Sequence, residues 1–291
     1  MYPSVAVLLA AYNGKQWIEE QIESIFFQKD VCVHLFISVD LSSDHTYEWC
    51  KKLEGESSSV TVLEYGERFG GAAKNFFRLI RDVDFSNYDY ISFADQDDIW
   101  LEDKLTHAIK VMKSEAVEVY SSDVIAFWED GRERLVKKSY PQKQFDYFFE
   151  AAGPGCTYVF KREALLEFKC FLIENWDRIN QVSLHDWMIY AFCRSQGKNW
   201  YIDSQPLMRY RQHASNQVGF NSGIKAYFTR LKMVKEKWYH MEVEKIFNLI
   251  YPASQSEFSL DRLTLIKHFW QLRRRPRDAM ALLVMLIGGL F

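Results

Sequence analysis

The stretch Tyr90-Ile91-Ser92-Phe93-Ala94-Asp95-Gln96-Asp97-Asp98-Ile99-Trp100 decides how the chain is read. An apolar run of strand length stops at three carboxylates within four residues. A strand ending in acids puts them at the carboxyl edge of a sheet, where open α/β folds hold ligands. Carboxylates this close repel one another unless a proton or cation compensates. Hard divalent cations favour such oxygen ligands and keep positions open for substrate phosphates. The stretch therefore reads as a metal–phosphate site on Asp95, Asp97 and Asp98. The alternative is an acidic turn that caps a helix starting near Glu102, since Asp is favoured at helix N-termini.

Upstream, the pattern repeats. Val5–Ala11 is a continuous apolar run, typical of a buried parallel strand, and it ends at Tyr12-Asn13-Gly14. Trp17, Ile18, Gln21, Ile22, Ile25 and Phe26 then recur at helical spacing. Val31–Val39 is a second strand ending in Asp40, and Thr46–Leu53 is a second helix. Val60–Leu63 is a short third strand, and Gly70-Gly71 precedes a helix over Ala72–Arg81. Strands alternating with helices predict a Rossmann-like, mostly parallel sheet flanked by helices. No GxGxxG follows the first strand and no GxxxxGK[ST] occurs, which excludes the usual dinucleotide and P-loop phosphate cradles.

Composition limits the function classes. Hydrophobic content of 48% over 291 residues supports a packed core and argues against disorder. From Arg209 onward the balance is +8, against −11 for the rest, so an acidic body precedes a basic end. The body is no nucleic-acid binder, and the end is suited to an anionic surface. Five scattered cysteines without CxxC spacing read as reduced thiols of a cytosolic protein. The N-terminus has no basic n-region of a signal peptide, and no stretch reaches bilayer-spanning length.

Taken in order, Leu9-Ala10-Ala11-Tyr12-Asn13-Gly14, Val39-Asp40-Leu41-Ser42-Ser43-Asp44-His45-Thr46 and Ala94-Asp95-Gln96-Asp97-Asp98 resemble the strand-end motifs of family 2 glycosyltransferases with the GT-A fold. Phe93–Trp100 is especially similar to the bacterial rhamnosyltransferase-like branch. The resemblance spans residues 3–219 and sets the expected division: a transferase domain over 1–220 and a basic helical extension over 221–291. It implies that the acids act as a DxD motif, with Asp95 and Asp97 at a divalent Mg2+ or Mn2+ and Asp97 the direct ligand. Asp40 would read the nucleotide base, and Ala11, Tyr12, Asn13 and Asn75 would complete the donor side. Leu41 and Ser42 stand where relatives often carry Asp-Gly, so base and ribose contacts differ. Asp44, followed by Thr46, also reads as turn and N-cap chemistry.

The second half carries the acceptor side. Val119–Trp128 reads as one strand. Gly153-Pro154-Gly155-Cys156 lets backbone approach a ligand, or is an ordinary tight turn. In Ser183-Leu184-His185-Asp186-Trp187, Asp186 matches the family's catalytic base and His185 replaces a more frequent acid. The alternative for Asp186 is a helix cap. Gly155, Cys156, His185 and Trp187 are expected around the acceptor. Tyr210-Arg211-Gln212-His213-Ala214-Ser215-Asn216-Gln217-Val218-Gly219 resembles a segment that closes over the donor, with Arg211 on the diphosphate and His213 near the metal. Two amphipathic helices are expected over 224–238 and 260–272. Arg273-Arg274-Arg275-Pro276-Arg277 before an apolar tail suggests peripheral contact with an anionic membrane. The resemblance implies inverting transfer of a sugar, dTDP-rhamnose being the expected donor, to a cell-surface polysaccharide or lipid-linked glycan at the inner face of the membrane. A homo-oligomer is compatible with the composition. Other readings are transfer of another hexose from a UDP- or dTDP-sugar, a catalytically degenerate sugar-nucleotide-binding subunit, and a nucleotidyltransferase. The last generally needs a Gly-rich basic loop after the first strand, where this chain has Ala10–Gly14.

Overall fold

The computed structural model describes residues 2–213, 237–251 and 258–291. Seven strands form the central sheet: β1 (Ser4–Ala11), β2 (Cys32–Val39), β3 (Val60–Val62), β4 (Tyr90–Asp95), β6 (Val119–Ser122), β9 (Val159–Lys161) and β10 (Trp200–Asp203). Their order is β10-β6-β9-β4-β1-β2-β3, and only β9 runs against the rest. The expected mostly parallel sheet is therefore present. Register explains why the strand-end motifs meet. Ala11 pairs with Val39, and Ala10 pairs with Asp95, so Tyr12, Asp40 and Asp95 share one edge.

β1 is buried along almost its whole length because both faces are covered. Leu8 and Phe93 pack on one face with Phe76, Phe77 and Ile80 of α3 (Ala72–Asp82). Val7 and Leu9 pack on the other with Ile18, Ile22 and Ile25 of α1 (Ile18–Phe26). The helices α2 (Thr46–Glu56), α4 (Lys104–Ser114), α5 (Arg162–Glu174), α6 (Trp176–Ile179) and α7 (His185–Ser195) complete the layers.

The stretch expected as one strand over 119–128 is two. It breaks at Asp123, and β7 (Val124–Phe127) leaves the central sheet for a small one of order β5-β11-β7-β8, with β5 (Ile99–Trp100), β8 (Glu133–Val136) and β11 (Met208–Arg211). Asp123 causes the break. Its N–H donates to the Asp203 carbonyl, and its buried carboxylate accepts from the Lys138 and Ser139 N–H groups at 2.6 and 2.8 Å and from the Ser139 hydroxyl at 2.9 Å. A buried carboxylate is stable only with such donors, and they pull the chain off the ladder.

The expected boundary at 220/221 and most of the expected helix over 224–238 lie outside the described residues. Beyond them are α8 (Trp238–Ile250), α9 (Arg262–His268, ending in a single 3-10 turn) and α10 (Pro276–Ile287). Their buried faces join the main core: Val243, Ile246, Leu265, Leu282 and Leu286 cluster with Phe148 and Trp187.

Candidate active site

β4 delivers the acids to the edge, and the following turn fans them out. Asp95 faces a cavity of about 970 Å3 that opens above the carboxyl ends of the strands. Gln96 turns back onto Tyr12, donating to its carbonyl and accepting from its N–H, each at 2.8 Å. Sequence reasoning gave Gln96 no role, yet it fastens the loop after β1 to the acid motif. Asp97 also lines the cavity, and its Oδ2 lies 2.7 Å from Nε2 of His213, whose ring stacks on Trp17 at 4.0 Å. Asp98 points the other way. It is fully buried, accepts the Arg211 N–H at 3.1 Å, and sits with Cys156 and Asp95 in a group whose ligand atoms lie within 4.8 Å. The helix-cap reading of Asp98 is thus replaced: α4 starts at Lys104, and its N-cap residue is Asp103, which makes no side-chain cap hydrogen bond.

The electrostatics of this edge favour a cation. Burial, then the charge of Asp97, pushes the Asp95 carboxyl up to about 7. Burial, reinforced by Asp97 and Asp95, holds Asp98 well above the ordinary range. Lys104, buried behind them over the Trp100 ring, is pushed down to about 7 by burial. A divalent cation fits in front of Asp95 and Asp97, with His213 beside them: carboxylate and imidazole groups line an open cavity, and the Asp97 charge acts on Asp95. Cys156 does not line that cavity, and a thiol suits a hard cation poorly.

The donor side is built from backbone as much as side chains. Asp40 accepts the N–H groups of Leu41 and Phe69 on Oδ1, at 2.7 and 2.9 Å, and of Gly70 on Oδ2 at 2.9 Å. Gly70 has φ +77°, a conformation that favours glycine, so Asp40 pins the glycine pair over the cavity. Oδ2 carries one donor and retains acceptor capacity. Asn75 donates to the carbonyls of Ala11 and Ser38, spanning β1 and β2, while its buried Oδ1 meets no hydrogen-bond partner among the described residues. Asp44 behaves as turn chemistry: it accepts from the Lys15 and Thr46 N–H groups and from the Thr46 hydroxyl.

Across the cavity, Gly153, Pro154 and Gly155 form the wall beside His185 and Asp186. His185 stacks on Phe76 at 4.0 Å, and burial lowers its pKa to about 3, so it is neutral. Gly155 is glycine for a steric reason: a Cβ there would lie 2.4 Å from Nε2 of His185. Asp186 sits in the first turn of α7, accepting the Trp187 N–H at 2.7 Å on Oδ1. Burial raises it to about 6, and that N–H and the Lys138 ammonium only partly oppose the rise.

The structure thus brings Ala11, Tyr12, Asn13, Asp40, Asn75, Asp95, Asp97, Gly155, His185, Asp186 and His213 to one cavity. Three expected residues are not on its wall. Arg211 donates to the Asp97 carbonyl at 2.8 Å and pairs with Glu20, so it positions the acid loop. Cys156 is buried behind the acids, and Trp187 is buried with its Nε1–H on the Tyr147 carbonyl. Lys138, Arg273 and Arg275 do line the cavity, although sequence reasoning gave Lys138 no role and turned the arginines outward.

Comparison with known proteins agrees with this architecture. Residues 6–168 match the model of glycosyl transferase family 2. The chain is 49% identical over 289 residues to the dTDP-rhamnosyl transferase RfbG of Shigella flexneri, covering 97% of this chain and 100% of that protein. It is 28% identical over 166 residues to WfgD of Escherichia coli, a UDP-Glc:alpha-D-GlcNAc-diphosphoundecaprenol beta-1,3-glucosyltransferase, covering 56% of this chain and 61% of that one. Among solved structures, S. aureus TarS in complex with UDP-GlcNAc aligns with 99% of this chain and 88% of its own at TM-score 0.56 and 13% identity. The mannosyltransferase PcManGT from Pyrobaculum calidifontis, in complex with GDP-Man and Mn2+, aligns with 99% and 81% at TM-score 0.54 and 16% identity. These likenesses show a common GT-A glycosyltransferase fold, and the family match and the full-length relative go further: the chain belongs to glycosyl transferase family 2.

Proposed function

We propose that this transferase moves rhamnose from dTDP-rhamnose to a hydroxyl of a cell-surface polysaccharide or lipid-linked glycan, with inversion, and that Asp186 is the base. The observation that carries the donor is the 49% identity, over the whole length of both chains, to a dTDP-rhamnosyl transferase. Three cavity acids stand apart from the strand-end cluster; Glu150 pairs with Arg273 and Arg274 and Asp278 with Arg273, which leaves Asp186, beside the Gly153–Gly155 wall, for the base opposite the leaving group.

The residues divide the work. Asp40 and Asn75 hold the nucleoside through their free acceptor capacity. Gly70 and Gly71 let backbone come close to the donor. Asp95, Asp97 and His213 hold the divalent cation, and Arg211 fixes the loop that carries Asp97. The cation, when bound, supplies Lewis-acid neutralisation of charge building on the diphosphate. Asp186 takes the proton of the acceptor hydroxyl as its oxygen attacks the anomeric carbon. The bond to the diphosphate breaks on the opposite face, and dTDP leaves. His185, held neutral, stacks on Phe76 and shapes the wall without adding charge.

Among the described residues no helix is long and apolar enough to cross a membrane. The enzyme works at the inner membrane face as a peripheral protein. Met280, Val284 and Ile287 recur at helical spacing and are exposed on α10, close in sequence to the exposed Arg275 and Arg277. An apolar stripe with cations beside it suits an anionic bilayer surface.

The donor is tested by incubating the full chain and Mn2+ with dTDP-rhamnose, dTDP-glucose, UDP-glucose and GDP-mannose and measuring nucleoside diphosphate release. Release from dTDP-rhamnose about tenfold or more above the others is expected, the size of discrimination that a fitted sugar pocket gives. Preference for UDP-glucose would favour the hexosyl alternative, and release from none would favour a binding subunit.

A further inference from the structure

We propose that Glu242 is a positioning residue for the transfer reaction: from α8, outside the sheet, it fixes Ser183 and so aims the Leu184–Asp186 segment that carries the base. The inference deepens the reading above and rests on Asp186 as base.

Asp186 stands in the first turn of α7, whose N-cap residue, Leu184, makes no side-chain cap hydrogen bond. The aim of that turn therefore depends on how the chain enters it. The entering segment, residues 180–184, is neither helix nor strand, and it lies along α8. Every third residue of α8 meets this segment or its ends. Tyr239 stacks on Trp187 with ring centroids 5.8 Å apart, and Glu242 binds Ser183. Lys245 donates to the Gln181 carbonyl at 3.1 Å, and the Asn248 carbonyl accepts from Arg178 at 2.7 Å. The contacts run backwards along the segment, so helix and segment are antiparallel, and the path from α6 to α7 is splinted over its length.

Glu242 makes the decisive contact. One oxygen accepts the Ser183 N–H at 2.9 Å and the other accepts the Ser183 hydroxyl at 3.0 Å, so backbone and side chain of one residue are both held. Ser183 lines the cavity, three residues before Asp186. The Glu242 side chain is fully buried, and Lys245 compensates its charge from a partly exposed position. Packing does not require this carboxylate. Val243 and Ile246 of α8 already join the core that contains Ile179 and Val182. A buried, paired carboxylate commonly adds no more stability than an apolar residue of its size. What it adds is direction: hydrogen bonds to a charged acceptor are short and angle-dependent, and they fix Ser183 where apolar contact would let it slide. A base must stand within hydrogen-bond reach of the proton it takes, and a displacement of about 1 Å costs on the order of a hundredfold in rate.

The test uses the full chain with Mn2+ and follows dTDP release from dTDP-rhamnose, with water standing in for the acceptor hydroxyl. Glu242→Gln keeps the shape and one acceptor but sets an amide NH2 against a Ser183 donor. Its kcat should fall about tenfold or more, with KM for dTDP-rhamnose, dTDP affinity and melting temperature close to wild type. Ser183→Ala, the milder change, should lower kcat in the same direction, and it carries the comparison if Glu242→Gln melts early. The double variant should be no worse than Glu242→Gln alone, because both changes act through one contact. In the Asp186→Asn background, Glu242→Gln should cost nothing further. Amide hydrogen exchange over residues 181–187 should quicken in Glu242→Gln while β1 and β4 keep their protection. Wild-type kcat in both single variants, losses that multiply in the double variant, or equal falls in kcat and dTDP affinity overturn the proposal. Near-normal release by Asp186→Asn strikes the base itself, whereas unchanged exchange in Glu242→Gln strikes the positioning contact whichever donor the enzyme uses.

Discussion

At the scale of single residues, the site depends on carboxylates in unlike settings. Burial is the main cause at both Asp95 and Asp186, but at Asp95 the Asp97 charge adds to it, whereas at Asp186 no like charge does and burial lifts it to about 6. A base works deprotonated, so a raised pKa means that activity is lost on acidification at a higher pH than for an ordinary carboxylate near 4. kcat/KM should therefore rise as pH increases through about 6 and level above it, in a profile taken with donor saturating. Asp186→Asn should cut kcat by on the order of a hundredfold or more, leave dTDP affinity unchanged, and abolish that limb. Near-normal turnover in this variant would remove Asp186 from the role of base. The acids were legible in the sequence because an apolar strand runs straight into them. Trp187 and Cys156 were misplaced because they adjoin motif residues in sequence. Successive helical residues point about 100° apart, so the neighbour of a cavity residue in α7 faces the core. Lys138 carried no signal: no periodicity says which way a lysine after an edge strand turns.

At the scale of elements, the parallel strands were readable because a buried strand is a continuous apolar run bounded by turn residues. The break between β6 and β7 was not, since both halves are apolar and only the hydrogen bonds of Asp123 part them. Those bonds also hold the segment Lys138-Ser139, from which Lys138 lines the cavity. Asp123→Ala leaves the N–H groups of Lys138 and Ser139 without their acceptor. It should cost roughly 2 kcal/mol or more in chemical denaturation, the penalty of stranded buried donors. dTDP affinity should persist, since Asp40 follows β2, Asn75 is on α3 and Asp95 ends β4, all away from Asp123 in the chain. A variant as stable as wild type would mean that the two sheets are joined by packing alone.

At the scale of the whole molecule, the basic C-terminal run is more than the outward-facing cluster that the sequence suggested. A string of like charges reads as solvent-facing, because nothing in it tells which residues find buried acids. Here Arg273 and Arg274 turn inward to Glu150, Asp278 and Asp146, and Arg275 and Arg277 remain exposed. Leu282 and Leu286 of α10 join the same core as Phe148, so the end of the chain closes the cavity as well as offering a surface. Removing residues 273–291 would therefore unbrace Asp146 and Glu150 and confound any membrane assay, since a buried acid stripped of its partner is strongly destabilising. The surface is better tested by Met280→Ser, Val284→Ser and Ile287→Ser together. These positions are about half exposed or more, at 48%, 63% and 59%, so their polar replacements leave the core filled. Flotation with vesicles containing anionic phospholipid should recover the wild-type chain and lose the triple variant, with the melting temperature held within a few degrees. Binding that persists in the triple variant would move membrane contact off α10, and with it the lipid of a lipid-linked acceptor.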